Sequence, residues 1–241
     1  AWLTLTAPTR EETVALARRF RSWNTIDRAF LRARSQAERE LRELGFQGDL
    51  LRHTQQLLSL LLYPHAVQRA EPAILAANRR GQSNLWGFGI SGDYPILLVR
   101  LRNESEGELL QELLLAHTYW RRRGLRLDLV ILNQQDTDYG QSLHNYIYRL
   151  IRRLDSDSWV NQRGGIFILR ADQMGEEDRI LLQTAARVLL DGHQGLLAAQ
   201  LADLERQPTP LPLFEPMIGD ERGEDAHPTL DRPTDLQFDN G

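Results

Sequence analysis

Residues 95–102 read PILLVRLR, an apolar run that begins at Pro95 and ends among polar and charged residues. Two later stretches have the same character: residues 127–133 read LDLVILN, and residues 165–170 read GIFILR. None of the three alternates strictly between apolar and polar side chains, which is typical of strands whose two faces are both covered. The sequence therefore predicts three buried β-strands.

Helical patterns lie between and after these strands. Ser105 and Glu108 form an S-x-x-E capping box, and the helix that they open ends near Gly124. Further helices are predicted at 139–154, 176–190 and 195–207. Strands that alternate with helices of this length favour βαβ units with right-handed crossovers. The predicted fold class is α/β, with a small, mostly parallel, three-stranded sheet.

The first part of the chain is mostly helical in pattern. Thr9 and Glu12 form a T-x-x-E capping box that opens the first helix. Further helical patterns follow at 24–45, 49–62 and 72–81. Because three strands make only a small sheet, we expect this helical region, residues 9–80, to pack against it.

The two ends of the chain differ from its middle. Residues 1–8 begin with alternating apolar and Thr residues, which predicts a strand that completes an upstream β-sandwich. Residues 208–241 hold six of the ten prolines among many acidic residues, which predicts a disordered, Pro-rich acidic linker. An α/β domain at 81–207 completes this predicted order. Both ends look like cuts, so the sequence is interpreted as an internal segment of a longer protein.

The composition excludes several classes of function. The chain has no cysteine, which excludes disulfides, thiolate metal sites and a Cys nucleophile. All 29 basic residues are Arg, which excludes a Lys Schiff base. The formal net charge of -4 gives no basic footprint, so we expect no nucleic-acid partner. The longest apolar run, near residues 57–63, is too short to cross a bilayer, so the segment is expected to lie outside the membrane.

Gly87 to Gly92 match the pattern G-x-G-x-x-G, which in dinucleotide-binding proteins follows a strand and opens a helix. Here the motif precedes a predicted strand, and Pro95 disfavours helical backbone at Tyr94. The context therefore favours a structural glycine loop over a nucleotide site.

Two groups of residues are candidate carbohydrate contacts. Trp86 and Asp93 flank the glycine loop, and an exposed aromatic ring beside a carboxylate suits sugars. The alternative, that Trp86 anchors the loop in the core, is favoured because aromatic side chains bury readily.

The second group follows the second strand and comprises Asn133, Gln135 and Asp136. Ligands of open α/β sheets bind beyond the carboxyl ends of strands, and Asp172 follows the third strand in the same way. These residues also fit a turn and a helix cap, with Asp138 as the cap before Tyr139.

No spacing singles out a pair of catalytic carboxylates, and no Walker, G-x-S-x-G or H-E-x-x-H motif is present. His117 and Trp120 share a helix face, which is interpreted as a packed face because no second His or carboxylate lies at metal-ligand spacing. The sequence therefore predicts no catalytic residue, no metal site and no cofactor.

Three long stretches resemble the cyclic β-1,2-glucan synthases. They are GQSNLWGFGISGDYPILLVRL at 81–101, AHTYWRRRGLRLDLVILNQQDTDYGQSLHNYI at 116–147 and NQRGGIFILRADQM at 161–174. TREETVALARRF at 9–20 resembles the exit from that family's preceding β-sandwich, and LQFDNG at 236–241 resembles the entry to its glycoside-phosphorylase module. The likeness is collinear and covers nearly the whole chain.

The resemblance implies a segment of a membrane-anchored glucan synthase that uses UDP-glucose. It implies a place between the sandwich and the phosphorylase module, on the cytoplasmic side of the bacterial inner membrane. Expected partners are the neighbouring domains of the same polypeptide and β-1,2-glucan. The leading hypothesis is a non-catalytic scaffold or carbohydrate-associated segment. The alternatives are a part of a glycoside phosphorylase of the cellobiose-phosphorylase type and a nucleotide-binding α/β module.

Overall fold

The computed structural model describes residues 6–135 and 142–206. Its α-helices are α1 (Arg10–Arg19), α2 (Trp23–Glu43), α3 (Leu50–Leu62), α4 (Pro72–Ala77), α5 (Gly107–Arg122), α6 (Ser142–Arg153), α7 (Glu176–Ala185) and α8 (Leu197–Arg206). Its β-strands are β1 (Ile96–Leu101), β2 (Asp128–Asn133), β3 (Ile166–Arg170) and β4 (Val188–Asp191).

The strands form one parallel sheet in the order β3-β2-β1-β4. This confirms the predicted α/β class and the three predicted strands, and it adds a fourth strand. In the central pairing, Leu97 of β1 lies opposite Leu129 of β2 on one side and Val188 of β4 on the other.

The fourth strand corrects the prediction of a helix through residue 190. Helix α7 ends at Ala185, and Ala186 already has extended backbone, with φ -61° and ψ 129°. The backbone after Ala186 pairs with the free edge of β1, because that edge would otherwise leave unpaired amide and carbonyl groups. Long-range pairing therefore overrides the local helical pattern.

Helices cover both faces of the sheet. Helices α3, α5, α6 and α8 lie on one face, where Leu97, Val99 and Leu101 of β1 point. Helix α7 and a 3-10 helix at Gln82–Phe88 lie on the other face, with Ile96 and Leu98. The two covered faces explain why the strands lack alternation. The 3-10 helix also shows that part of the predicted glycine loop is helical.

The N-terminal helices join this core unequally. Helix α3 packs into it through Leu57 and Leu61, which are fully buried. Helix α1 contains no buried residue, and α2 buries only Ile26. The predicted cap of α1 is confirmed, since the Thr9 Oγ1 atom accepts a hydrogen bond from the Glu12 amide at 3.3 Å. The packing of a helical region on the sheet is therefore confirmed, with α3 as its main contact.

Several predictions fall outside the described residues. They concern most of the strand at 1–8, the linker at 208–241 and the candidate contact Asp136. The division of the chain at residue 80 stays a prediction. Among the helices that are described, none is both long and apolar enough to cross a bilayer.

Candidate functional site

The predicted carbohydrate contacts lie at opposite ends of the parallel strands. The side of the sheet where the strands begin is its amino edge, and the side where they end is its carboxyl edge. Trp86 and Asp93 precede β1 and lie at its amino edge, whereas Asn133 ends β2 and Gln135 follows it at the carboxyl edge. The structure therefore does not bring these four residues into one site. Each pair has to be considered by itself.

At the amino edge, Trp86 is 64% exposed, so the favoured interpretation of Trp86 as a core anchor is wrong. Its indole nitrogen donates a hydrogen bond to the Ser91 carbonyl at 3.3 Å, which fixes the ring on the surface. Leu85, its neighbour in the 3-10 helix, is buried and takes the core position instead.

The carboxylate of Asp93 is already engaged. Arg163 donates to it at 2.6 Å, Gln82 donates at 3.1 Å, and the Arg163 guanidinium also stacks 4.8 Å from the centre of the Tyr94 ring. Asp93 also lines a cavity of about 320 Å³ at this edge. A sugar at this site would meet a preformed ion pair beside an exposed indole ring.

At the other edge, Asn133 and Gln135 have local structural partners. The Asn133 side chain accepts the Gln135 amide at 2.8 Å. The Gln135 side chain accepts the Leu143 amide at 3.0 Å and donates to Ser142, and so caps α6. Arg170 pairs with Asp172 at 2.5 Å beyond the neighbouring strand. These contacts match the turn that the sequence left open as an alternative, while Asp138, the predicted helix cap, lies outside the described residues.

The carboxyl ends of β1 and β4 hold a polar cluster that the sequence did not predict. Asp191, the last residue of β4, is 1% exposed. Its carboxylate accepts from Arg100 at 2.7 Å, from Arg102 at 3.4 Å and from the His193 imidazole. Gln200 of α8 accepts the Asp191 amide and donates to its carbonyl. The cluster holds β4 against β1 and α8.

Glu106 joins this cluster from the loop after β1. It accepts the Arg102 amide at 2.8 Å and the Asn103 side chain at 3.3 Å. Gly192 leaves room for it, because a Cβ atom at residue 192 would lie 2.3 Å from a Glu106 carboxylate oxygen. The close approach of these two loops therefore depends on a glycine.

The cluster lies where the topology of the sheet changes direction. From β1 the chain adds β2 and β3 on one side, and then returns to place β4 on the other side. Ligands of open α/β sheets bind at such switch points, beyond the carboxyl ends of the strands. A cavity of about 610 Å³ lies beside this point, and Arg100, Gln183 and Gln194 contribute to its wall.

The missed site follows from the missed strand. If residues 176–190 are predicted as one helix, Asp191 does not end a strand. No fourth strand then lies beside β1, so the sequence does not reveal a switch point there. The available signal was the apolar run VLL at 188–190 before Asp191 and Gly192, which resembles the end of a short buried strand.

The side chains of His117 and Trp120 were predicted to form a packed helix face. His117 and Trp120 are buried, with His117 Nε2 3.3 Å from the Leu127 carbonyl, which confirms a packed helix face. Burial, with a smaller contribution from Arg121, lowers the pKa of His117 to about 4, so its imidazole is neutral at pH 7. Within residues 6–135 and 142–206, no group of three or more side chains could hold a metal ion.

Asp128 is a fully buried carboxylate at the amino end of β2. One carboxylate oxygen accepts the Gly164 amide at 2.7 Å, while the other has no hydrogen-bond partner among the described residues. Burial raises the pKa of Asp128 to about 6, against the lowering effects of the Gly164 amide and Arg163. Between pH 4 and 6 the folded protein therefore keeps a proton that the unfolded chain loses.

We expect Asp128→Asn to change the pH dependence of stability. In the native protein, this group makes the free energy of unfolding fall as the pH rises from about 4 to about 6. The neutral amide removes that fall and raises the free energy of unfolding at neutral pH by about 1–2 kcal/mol, less than the full pKa shift implies because one end of the buried amide still lacks a partner. Urea unfolding across this pH range measures the change. Asp27→Asn, at an exposed position on α2, is the control, and equal profiles for the native protein and Asp128→Asn would contradict the prediction.

No family model matches this chain. Among curated proteins, the chain is similar to the cyclic beta-(1,2)-glucan synthase NdvB of Rhizobium meliloti (strain 1021), with 29% identity over 200 residues. The aligned region is 83% of this chain but 7% of that protein. The similarity supports a relationship to the cyclic β-1,2-glucan synthases, in agreement with the resemblance of the three stretches. The chain is therefore similar to one short segment of a cyclic β-1,2-glucan synthase.

Proposed function

We propose that this chain is a non-catalytic scaffold and carbohydrate-associated module within a cyclic β-1,2-glucan synthase. The observation that carries the proposal is the similarity over 83% of this chain to a stretch that makes up 7% of NdvB. A stretch of that size accommodates one α/β unit within a much longer enzyme. The parent protein would be a membrane-anchored glycosyltransferase, with this module on the cytoplasmic side.

The chemistry of the polar cluster supports a role without catalysis. Hydrolysis of a glycosidic bond uses two carboxyl groups that reach the substrate from opposite sides. Asp191 is instead surrounded by Arg100, Arg102 and His193, and Glu106 is occupied by backbone and side-chain donors. Carboxylates held in this way brace loops rather than attack or protonate a sugar.

The surface of α1 and α2 supports contact with neighbouring domains. Trp23, Phe30 and Leu31 of α2 are each more than half exposed, and Val14 of α1 is 40% exposed. Exposed apolar side chains in such number on one helical segment are typical of surfaces that other protein elements cover. The proposed occupant is an adjoining domain of the same polypeptide.

Both carbohydrate contacts that the sequence predicts stay proposals. Exposed Trp86 beside Asp93 offers a ring for the C–H face of a sugar and oxygens for its hydroxyl groups. Asn133, Gln135 and Asp136 form the second proposed contact, with Asp136 outside the described residues. The exposure of the indole ring supports the first contact over the second.

The proposal predicts that the chain does not turn over β-1,2-glucan. The 241-residue chain, incubated with linear or cyclic β-1,2-glucan, with or without phosphate and with UDP-glucose, should release no glucose or glucose 1-phosphate and extend no chain. Product analysis by chromatography checks this. Phosphorolysis would replace the proposal with the glycoside-phosphorylase alternative, and transfer from UDP-glucose would show a catalytic module.

A further inference from the structure

The glycine motif at 87–92 helps to build one wall of the cavity at the amino edge of the sheet. Gly92 has a φ of 75° and lines this cavity together with Gln82. A Cβ atom at residue 92 would lie 2.7 Å from the Gln82 Cγ atom, so the glycine is what lets this side chain cross the loop so closely. The motif therefore positions the Gln82 side chain.

Gln82 links the cavity to the exposed indole ring of Trp86. Its Nε2 atom donates hydrogen bonds to the Ser91 carbonyl at 2.9 Å and to the Asp93 carboxylate at 3.1 Å. The Trp86 indole nitrogen donates to the same Ser91 carbonyl at 3.3 Å, so the ring lies directly beside the cavity wall. A ring held in this way loses little further freedom when it binds a ligand, which lowers the entropic cost of binding.

The polar groups beside the ring are mainly hydrogen-bond acceptors. Both Nε2 hydrogens of Gln82 are used, whereas its Oε1 atom has no donor among the residues that the structure describes. Asp93 is half exposed, and each of its two carboxylate oxygens has one protein donor and room for another. Hydroxyl groups supply such donors, and the C–H face of a sugar ring stacks on an indole ring. The chemistry beside Trp86 therefore fits a sugar.

The charges around this cavity balance, which favours a neutral ligand over an anion. In the described part of the chain, the charged residues of the wall and their ion-pair partners are three cations and three anions. They are Arg80, Arg163 and Arg187 on one side and Asp93, Glu177 and Asp178 on the other. The diphosphate of a nucleotide sugar therefore finds no excess of positive charge there.

We propose that Trp86, Gln82 and Asp93 form a binding site for a neutral sugar chain, in which the indole ring is the stacking platform. The Gln82 Oε1 atom and the Asp93 carboxylate accept hydrogen bonds from its hydroxyl groups. The choice of a β-1,2-linked glucan as that chain rests on the proposed function. The adjoining cavity, about 320 Å³, is at the small end of the range for small-molecule sites and leaves room for the sugar unit next to the stacked one.

The test follows the indole Nε1–H signal of Trp86 by NMR in the ¹⁵N-labelled 241-residue chain. One titrant is a short linear β-1,2-linked glucose oligosaccharide, and the other is UDP-glucose. The oligosaccharide should shift this signal and the side-chain amide signal of Gln82, whereas UDP-glucose should shift neither. The spectrum of Trp86→Phe, which lacks this indole group, assigns the signal.

Four variants separate the contacts of the site from general effects. Trp86→Ala removes the stacking platform and should raise the Kd for the oligosaccharide about tenfold. Gln82→Ala removes one acceptor and should raise the Kd about fivefold. The controls are Tyr63→Ala, which removes an aromatic ring that is 80% exposed, and Gln55→Ala at an exposed position of α3. Both controls should leave the Kd unchanged, and circular dichroism checks that each variant folds.

Oligosaccharide binding that leaves the Trp86 signal unchanged would overturn this inference, and the proposed function would stand. A shift of that signal by UDP-glucose at an equal or lower concentration would also overturn it, in favour of a nucleotide-sugar site. Absence of any binding would overturn it as well, with the scaffold role intact. Turnover of the glucan is the separate result that would remove the proposed function.

Discussion

Asp191→Ala should lower the free energy of unfolding by about 3 kcal/mol. The carboxylate of Asp191 is 1% exposed and serves Arg100, Arg102 and His193 at once. Its removal leaves the guanidinium of Arg100, which is 24% exposed, without its counter-ion beside a second cation. Breaking a buried pair by removing one partner is costly because the remaining charge stays desolvated. Urea unfolding followed by circular dichroism measures the loss.

The matched control is Asp172→Ala. Asp172 pairs with Arg170 at 2.5 Å, also at the carboxyl edge of the sheet, but both partners are solvent-accessible. Water replaces the lost partner there, so the loss should be clearly smaller than that of Asp191→Ala. Equal losses for the two variants would show that Asp191 is not the buried anchor of β4.

Gly165→Ala should have an effect of similar size, about 3 kcal/mol, through steric overlap. A Cβ atom at this residue would lie 2.2 Å from the Trp159 carbonyl oxygen and 2.7 Å from that of Gln162. Both are backbone atoms, and the turn that carries them is held by the hydrogen bond from Asn161 to Ile166 at 2.8 Å. The turn cannot open without pulling on β3.

Gly87→Ala is the control for this substitution. A Cβ atom at Gly87 meets no atom within 4 Å, and this glycine does not have the positive φ that disfavours other residues. Its stability should stay close to that of the native chain, as measured by the midpoint of urea unfolding. A stable Gly165→Ala variant would mean that the turn at 159–165 rearranges freely.

The fold could be predicted largely because three strands carry their own signals. Residues 96–101, 128–133 and 166–170 are apolar runs with clear boundaries, and each is followed by a helical pattern. Strand β4 has only four residues and continues from α7 without an intervening Gly or Pro. Its extended backbone depends on the open edge of β1, which a local pattern does not reveal.

The candidate site was less predictable because it depends on distant parts of the chain. Asp191 can pair with Arg100 only because the β1–β4 register places the two residues opposite each other. Glu106 and Gly192, which approach each other in the same cluster, also belong to segments that meet only in the folded chain. The prediction for Trp86 was wrong because large aromatic side chains are usually buried, whereas its hydrogen bond to the Ser91 carbonyl holds this ring at the surface.

The central position of β1 has a consequence for biosynthesis. A ribosome delivers β1 first and its outer neighbour β4 last, so one side of β1 stays open while the intervening helices emerge. During that interval the unpaired backbone amide and carbonyl groups of β1 can pair with other nascent chains and cause aggregation. A shortened version for expression should therefore extend through Arg206, because a cut before Val188 makes the open edge permanent.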